Sequence, residues 1–265
     1  MNLLLIVTTA TGHFAAGRLK APGFHYVQAD CADAGFGATI LLMAQPPQTV
    51  LTASPAEAEA IRQAIRNVTT LETPYGTYRA TTMADAEALF QLLSDIRVSG
   101  PLYTVPKPVT REWVECWIEG HKEETRQGFG LLMLSRNTVD APTGFVDLQV
   151  WPERASAEFG GGVSPDLQSA SLGTKGAAIL FNWLFAEIGI RLIAMTNALD
   201  NLRTEKLLGH LGFERLQDRI CVSPDGSLRA SMYWELTRED WRTVAREPET
   251  AAMISEFSSR ERGER

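Results

Sequence analysis

Three stretches of this 265-residue chain hold residues whose types and spacing could do chemistry. The first contains Asn201 and Thr204, within Asn197-Ala198-Leu199-Asp200-Asn201-Leu202-Arg203-Thr204. A helix that starts at Asn201 carries Thr204 one turn on, so both polar side chains can point at one ligand. The same two residues also read as a plain N-cap and a helix-surface hydroxyl. The second is Gln168-Ser169-Ala170-Ser171-Leu172-Gly173-Thr174-Lys175, ahead of an apolar-striped helix. Successive backbone N–H groups at such a helix start face an anion that the helix dipole also favours, and Lys175 adds a cation; capping by the serines is the alternative. The third is Ala157-Glu158-Phe159-Gly160-Gly161-Gly162-Val163, a carboxylate beside three consecutive glycines. Those glycines weaken a strand and point to a bulge or to close approach by another backbone or a ligand.

The elements that must position these residues follow from periodicity. A helix from about Ser54 places Ile61, Ala64, Ile65 and Val68 on one face, and strands are expected at 3–8 and 38–44 before it. Thr73-Pro74-Tyr75-Gly76 reads as a joint, which divides the chain into an α/β extension over 1–72, a main domain over 73–241 and a charged tail over 242–265. The main domain opens with a strand at 77–81 and helices at 85–94 and from Thr110 to near Gly128, the second carrying Trp113, Val114, Trp117 and Ile118 on one side. Strands follow at 129–135, 144–151 and 157–163, then a helix at 174–188 with Ala177, Phe181, Leu184, Phe185 and Ile188 as its apolar stripe. A strand at 191–196, a helix at 201–211 and strands at 214–222 and 228–236 complete it.

This order of elements, with the segments above, resembles the GNAT superfamily of N-acetyltransferases over about two thirds of the chain, and most closely its ribosomal-protein N-terminal acetyltransferase branch. Asn201 to Leu211-Gly212-Phe213 is similar to that branch's Asn-x-x-Ser-x-x-x-x-x-x-Leu-Gly-Phe segment, with Thr204 in the Ser position. Gln168 and Gly173 match its Gln/Arg-x-x-Gly-x-Gly/Ala loop, with Ser171 in place of the middle glycine, and Glu158 and Gly160 match its Ala-Glu-Ile-Gly-Tyr-x-Leu strand, with glycine in place of the aromatic. The resemblance implies an α+β fold, a mixed and mostly antiparallel twisted sheet flanked by helices. It implies acetyl-CoA as cosubstrate and no metal, bound by Phe159, Gly161, Val163, Gln168, Ser171, Leu172, Gly173, Thr174, Lys175 and Asn201. Glu158 becomes the candidate general base for the amine, a backbone N–H of the glycine-rich strand the oxyanion donor, and Thr204 the general acid toward the thiolate. The acceptor is then a primary amine of a small molecule or of a protein N-terminus. The rival is a non-catalytic GNAT-fold module that binds CoA or a partner protein, favoured by Ser171 and the triple glycine.

Bulk properties narrow the partners. The formal net charge is −7 with 45% apolar residues, which argues against a protein that binds nucleic acid through phosphate contacts. The apolar start Leu3 to Val7 is too short for a membrane span or a signal core, and Cys31, Cys116 and Cys221 form no CxxC pair, so a reduced cytoplasmic setting fits. Cys116 and Cys221 have no acid or His placed to activate them, and both read as small buried hydrophobes. His121 and His210 read as solvated or boundary residues on helices, and the tryptophans as core, with Trp117 and Tyr103 able to line an acceptor pocket near the loop at 98–108. The N-terminal extension is expected either to recognise substrate or to pair with a second copy in a homodimer.

Overall fold

The computed structural model describes residues 45–168 and 170–258; the strands expected at 3–8 and 38–44 lie outside them. Among the described residues nine strands form one sheet: β1 (Thr70–Thr73), β2 (Gly76–Ala80), β3 (Gly130–Arg136), β4 (Pro142–Trp151), β5 (Ser156–Val163), β6 (Leu192–Ala198), β7 (Glu214–Arg215), β8 (Arg219–Val222) and β9 (Leu228–Thr237). Their order is β1-β2-β3-β4-β5-β6-β9-β7, with β8 also on β9. Every pair is antiparallel except β5 with β6 at the centre. The helices are α1 (Pro55–Arg66), α2 (Ala86–Ser94), α3 (Ile96–Ser99), α4 (Arg111–Gln127), α5 (Ala170–Trp183), α6 (Leu202–His210), α7 (Arg238–Val244) and α8 (Pro248–Ser258).

Helices cover both faces of the sheet, so β3 is buried almost throughout rather than on alternate residues. On one face Leu132, Leu134 and Phe145 pack against α2, α3 and α4 through Leu89, Leu93, Val98, Val114 and Ile118. On the other, Leu131, Met133, Val146, Leu148 and Val150 meet α1, α5 and α6 through Ile61, Ile65, Phe181, Leu184 and Leu208. Local chemistry sets the ends of these helices. The Ser54 hydroxyl accepts from Glu57 N–H at 3.2 Å, the Thr110 hydroxyl accepts from Trp113 N–H at 3.2 Å, and Gly128 ends α4 at φ 85°.

One carboxylate is built into this frame. Asp85, 1% exposed, accepts from Arg79 at 2.7 and 2.8 Å, from Arg136 at 2.9 Å, and from the Thr82 backbone and hydroxyl at 2.8 and 2.9 Å. Burial by itself would raise its pKa, but these donors outweigh that and hold the carboxyl well below the usual range.

Four expectations change. Thr73 to Gly76 is not a joint: it is the turn of the β1–β2 hairpin, and α1 buries Ile61 and Ile65 in the same core as the main sheet. β1 itself is four residues long with Leu71 its single apolar residue, so it gives no alternating signal. The stretch after Trp241 is not a loose tail as far as residue 258, because α7 and α8 fold back with Thr250 buried and Ile254 against the core. The strand expected at 214–222 is two strands, β7 and β8, both paired with β9. Finally, α5 begins at Ala170, four residues before the expected start at Thr174, and runs into a π turn over Leu184–Ile188 that ends at Gly189 (φ 87°).

Candidate active site

The sheet opens at the one parallel pair among the described residues. β5 and β6 are bonded over Ser156–Leu192, Ala157–Ile193 and Glu158–Ala194, and the pairing stops there. Beyond that point β5 stays on β4 to Val163 and β6 stays on β9 to Ala198, so the two strands diverge and leave a cleft. The β5 residues facing this cleft lack their next strand, and their backbone groups are available to an extended ligand. Gly161 fits this arrangement for a packing reason: a Cβ there would lie 2.5 Å from the Phe145 carbonyl oxygen on β4. The close approach anticipated for the triple glycine is thus by backbone, and the β4–β5 register runs unbroken with no bulge. Phe159 and Val163 pack against the core on the α5 side, Phe159 edge-on to Phe181 with ring centroids 5.5 Å apart.

One end of the cleft is laced by Gln168. Its Nε2 donates to Val163 O at 3.1 Å, and its Oε1 accepts from Arg203 Nη1 on α6 at 3.2 Å, so one amide ties the end of β5 to the first turn of α6. Asn201 caps α6, its Oδ1 accepting from Thr204 N–H at 3.2 Å, with Thr204 half-buried in that first turn. Asn197, buried at the end of β6, fixes this turn. Its Nδ2 donates to Ala198 O at 3.0 Å and Asn201 O at 3.3 Å, while its Oδ1 accepts from Trp234 Nε1 at 2.7 Å. Sequence reasoning missed Asn197, although an Asn in an otherwise apolar strand that is followed by a helix start is the signal that could have found it.

The expected anion loop is not a loop. Ser171, Leu172, Gly173 and Thr174 lie in the first turns of α5, which carries Gly173 and Gly176 but no proline to stop it. Tyr75, from the β1–β2 turn, holds that turn: its hydroxyl donates to Leu172 O at 2.7 Å, and its ring lies where a Cβ on Gly176 would come within 2.2 Å of Cε2. Tyr75 and Gly176 therefore position the start of α5, and neither was singled out from the sequence. A glycine inside a helix is the one hint. Lys175 is engaged by Glu256 of α8.

Glu158 stands where β5 leaves β6. Its Oε2 is buried with no hydrogen-bond partner, and its Oε1 accepts from the Tyr103 hydroxyl at 3.5 Å. Burial pushes its pKa up to about 7, with Arg219 opposing and Asp147 and burial acting together. Burial likewise raises the Tyr103 phenol, which stays a neutral donor. Tyr103 is held by β9: Arg229 lies 5.0 Å from its ring centroid and donates to Pro101 O at 2.5 Å. Arg219 stacks 3.8 Å over the Tyr233 ring and donates to Pro46 O at 3.3 Å. The segment before α1 therefore reaches this side of the site, with Gln48 N–H also donating to the Tyr233 hydroxyl at 3.0 Å. Trp117, 2% exposed, belongs to the α2–α4 core, and Cys221 is buried as expected while His210 is exposed.

A parallel pair that splays, a buried carboxylate oxygen at the fork and a helix N-terminus across the cleft make up the candidate site of this mixed, mostly antiparallel α/β fold. The chain belongs to the GNAT acetyltransferase family, whose model, an acetyltransferase (GNAT) domain, matches residues 77–214. Solved structures share the fold. One is a ribosomal-protein-S5-alanine acetyltransferase from Vibrio fischeri, at 13% identity, TM-score 0.55, covering 66% of this chain and 99% of that one. A second is Mycobacterium smegmatis RimJ in complex with CoA-disulfide, at 19% identity, TM-score 0.55, covering 71% and 93%. A third is a spermidine N-acetyltransferase from Vibrio cholerae, at 14% identity, TM-score 0.50, covering 62% and 96%. No curated protein matches the sequence. Among the described residues no helix is long and apolar enough to cross a membrane, and no group of three or more His, Cys, Asp or Glu is placed to hold a metal ion.

Proposed function

We propose that the protein transfers an acetyl group from acetyl-CoA to a primary amine, of a small molecule or of a protein N-terminus. The observation that carries this reading is the fork itself, where β5 and β6 part beside the unpartnered Glu158 Oε2. The residues present suit the cosubstrate. The free edge of β5 at Phe159, Gly161 and Val163 suits an amide-bearing arm, and the N–H groups of the first α5 turn at Ser171, Leu172, Gly173 and Thr174 suit a pyrophosphate. Gln168 and Asn201 frame the passage between them, and Lys175 is the nearby cation. When bound, acetyl-CoA supplies the acetyl thioester that the amine attacks. Glu158 takes the proton that the ammonium must lose, and a carboxyl with a pKa near 7 is matched to that task at neutral pH. Thr204 gives a proton to the departing thiolate. The neighbours named for alanine and spermidine acetylation support an amine acceptor. In domain terms the catalytic unit is the sheet with its covering helices, α1 and β1 included because they share its core.

Two observations favour the non-catalytic alternative: Lys175 is already paired with Glu256, and α5 begins within the expected anion loop. Titration of acetyl-CoA by calorimetry, together with thiol release over a panel of primary amines and peptide N-termini, separates the two. Binding with turnover that Thr204→Ala lowers by about 10²- to 10⁴-fold is the expected result. Binding without turnover on any amine would favour the interaction module, and absence of binding would remove the cosubstrate assignment.

A further inference from the structure

A second concavity lies away from the fork. It holds about 450 Å³ between α1, β1, α5 with its π turn, and α8. It stands at the rim of the sheet, because among the described residues β1 pairs with β2 alone. α1 stops at Arg66, and the chain crosses from Asn67 to Thr69 before β1 begins, so helix, connection and strand enclose one end. The opposite wall is Asn182 and Trp183 of α5 with Glu187 and Ile188 of the π turn. No residue assigned to acetyl transfer lines it. Asn182 is about 15 Å along α5 from Leu172 in the first turn, and the fork at β5 lies beyond β2, β3 and β4.

The electrostatics of this concavity have one sign. Glu72 and Glu187 stand in its wall, and among the described residues that line it there is no Lys, Arg or His. Glu72 Oε1 accepts from the Thr77 hydroxyl at 2.7 Å, a neutral donor that leaves the carboxylate charge in place. Glu187 is exposed and has no cationic partner among the described residues. The arginines of α1 are turned elsewhere: Arg62 is engaged by Glu153, and Arg66 donates to Glu59 at 2.9 Å and to the carbonyls of Arg126 and Gln127 at 3.1 Å. Two helix ends add to the same sign, α1 at Arg66 and the π turn at Ile188, where the last carbonyls carry the negative end of the dipole.

The floor is apolar. Leu71, Ile179 and Ile188 belong to the main core, and Val68, Trp183 and Ile254 pack against it half-buried. An anion is opposed by these walls, and a bare metal ion gains nothing from this floor. A cation on an apolar, planar body satisfies both, with Trp183 as an aromatic wall for the body. The volume falls in the range of about 300–1,000 Å³ that small organic ligands occupy.

We propose that this concavity is a second ligand site, which takes a compact organic cation, an amidinium or ammonium carried on an apolar body. The charged end lies toward the carboxylates of Glu72 and Glu187, and the body lies on the floor beside Ile179 and Trp183. The hydroxyls of Thr69 and Thr70, also in the wall, accept from its remaining N–H groups. The site shares no residue with the acetyl-CoA cleft, so it stands or falls apart from the acetyl-transfer reading.

Calorimetry on the full-length protein tests this with benzamidinium, its neutral isostere benzamide and the anion benzoate as probes. Benzamidinium is expected to bind about tenfold or more tighter than benzamide, the gain of a charge-assisted contact, with benzoate weaker than both. Glu72→Gln combined with Glu187→Gln is expected to lower benzamidinium affinity by about tenfold and to leave benzamide within about twofold. Ala64→Phe, which puts a ring into the cavity from α1, is expected to abolish binding of both, and it decides where the double variant does not fold. Saturating acetyl-CoA is expected to leave benzamidinium affinity within about threefold, which separates this site from the fork. Equal affinity for benzamidinium and benzamide would overturn the proposal, as would absence of benzamidinium binding in the millimolar range. Binding that neither variant changes, or that acetyl-CoA abolishes, would place the cation elsewhere and overturn it too.

Discussion

Replacing Glu158 by Gln is expected to give a loss of activity whose size depends on pH in a calculable way. Burial raises the Glu158 carboxyl to about 7, so only the ionised fraction can accept the ammonium proton. That fraction is about one tenth at pH 6 and about nine tenths at pH 8, from the one-proton titration curve. The amine acceptor titrates too, but it does so identically in both proteins, so the wild type to Glu158→Gln ratio of kcat/KM isolates the carboxyl. The ratio is expected to rise about tenfold per pH unit below pH 7 and to flatten above it at about 10² to 10⁴, the range of general-base contributions. Arg219 lowers the Glu158 pKa, so in Arg219→Gln the bend in this curve moves to higher pH. Stability gives an independent check with the opposite sign. The folded pKa lies above the ordinary value of 4.5, so ionising Glu158 costs stability progressively as pH rises from about 4.5 to 7. With partial exposure discounted, Glu158→Gln is expected to be more stable than wild type by about 1–2 kcal/mol at pH 8, with the difference gone below the ordinary carboxyl value of 4.5, read by denaturant unfolding. A ratio that does not vary with pH, or a variant within threefold of wild type at pH 8, would refute the assignment of the base.

Two further outcomes follow from packing. Gly176→Ala places a Cβ 2.2 Å from Tyr75, so the ring must move and release Leu172 O. The overpacking cost of about 1–3 kcal/mol exceeds the gain of about 1 kcal/mol in helix propensity, and acetyl-CoA affinity is expected to fall in calorimetry because the first turn of α5 loses its support. Asp85→Asn leaves Arg136 and Arg79 without their carboxylate and is expected to cost about 2–4 kcal/mol, below the full value for a buried pair because Arg79 is 41% exposed. The depressed folded pKa makes that contribution complete above the ordinary value of 3.8 and lost as pH falls below it, so wild-type and variant unfolding curves converge in acid.

Local chemistry in the sequence determined where most elements lie. The caps at Ser54 and Thr110, the stop at Gly128 and the apolar stripes of α1, α4 and α5 are properties of neighbours three or four residues apart, and these appear in the structure with small shifts. The order of elements, with the Asn201 to Phe213 segment, was also enough to point to the family. What the sequence could not decide are contacts between residues far apart along the chain. Tyr75 against Gly176, Arg219 over Tyr233 beside Pro46, and α8 against α5 all depend on which elements meet. The same limit explains the joint that became a hairpin and the loop that became the start of α5. In each, local propensity was weak and a distant partner settled the outcome. The site shows this most clearly. Glu158 could be picked as a carboxylate beside glycines, but its raised pKa comes from burial at the fork, and His121 read as a helix-surface residue until the fold set it between Glu124 and Asp147. Protonation and charge depend on desolvation and on groups brought within a few ångströms by folding, quantities that do not exist until the chain is closed.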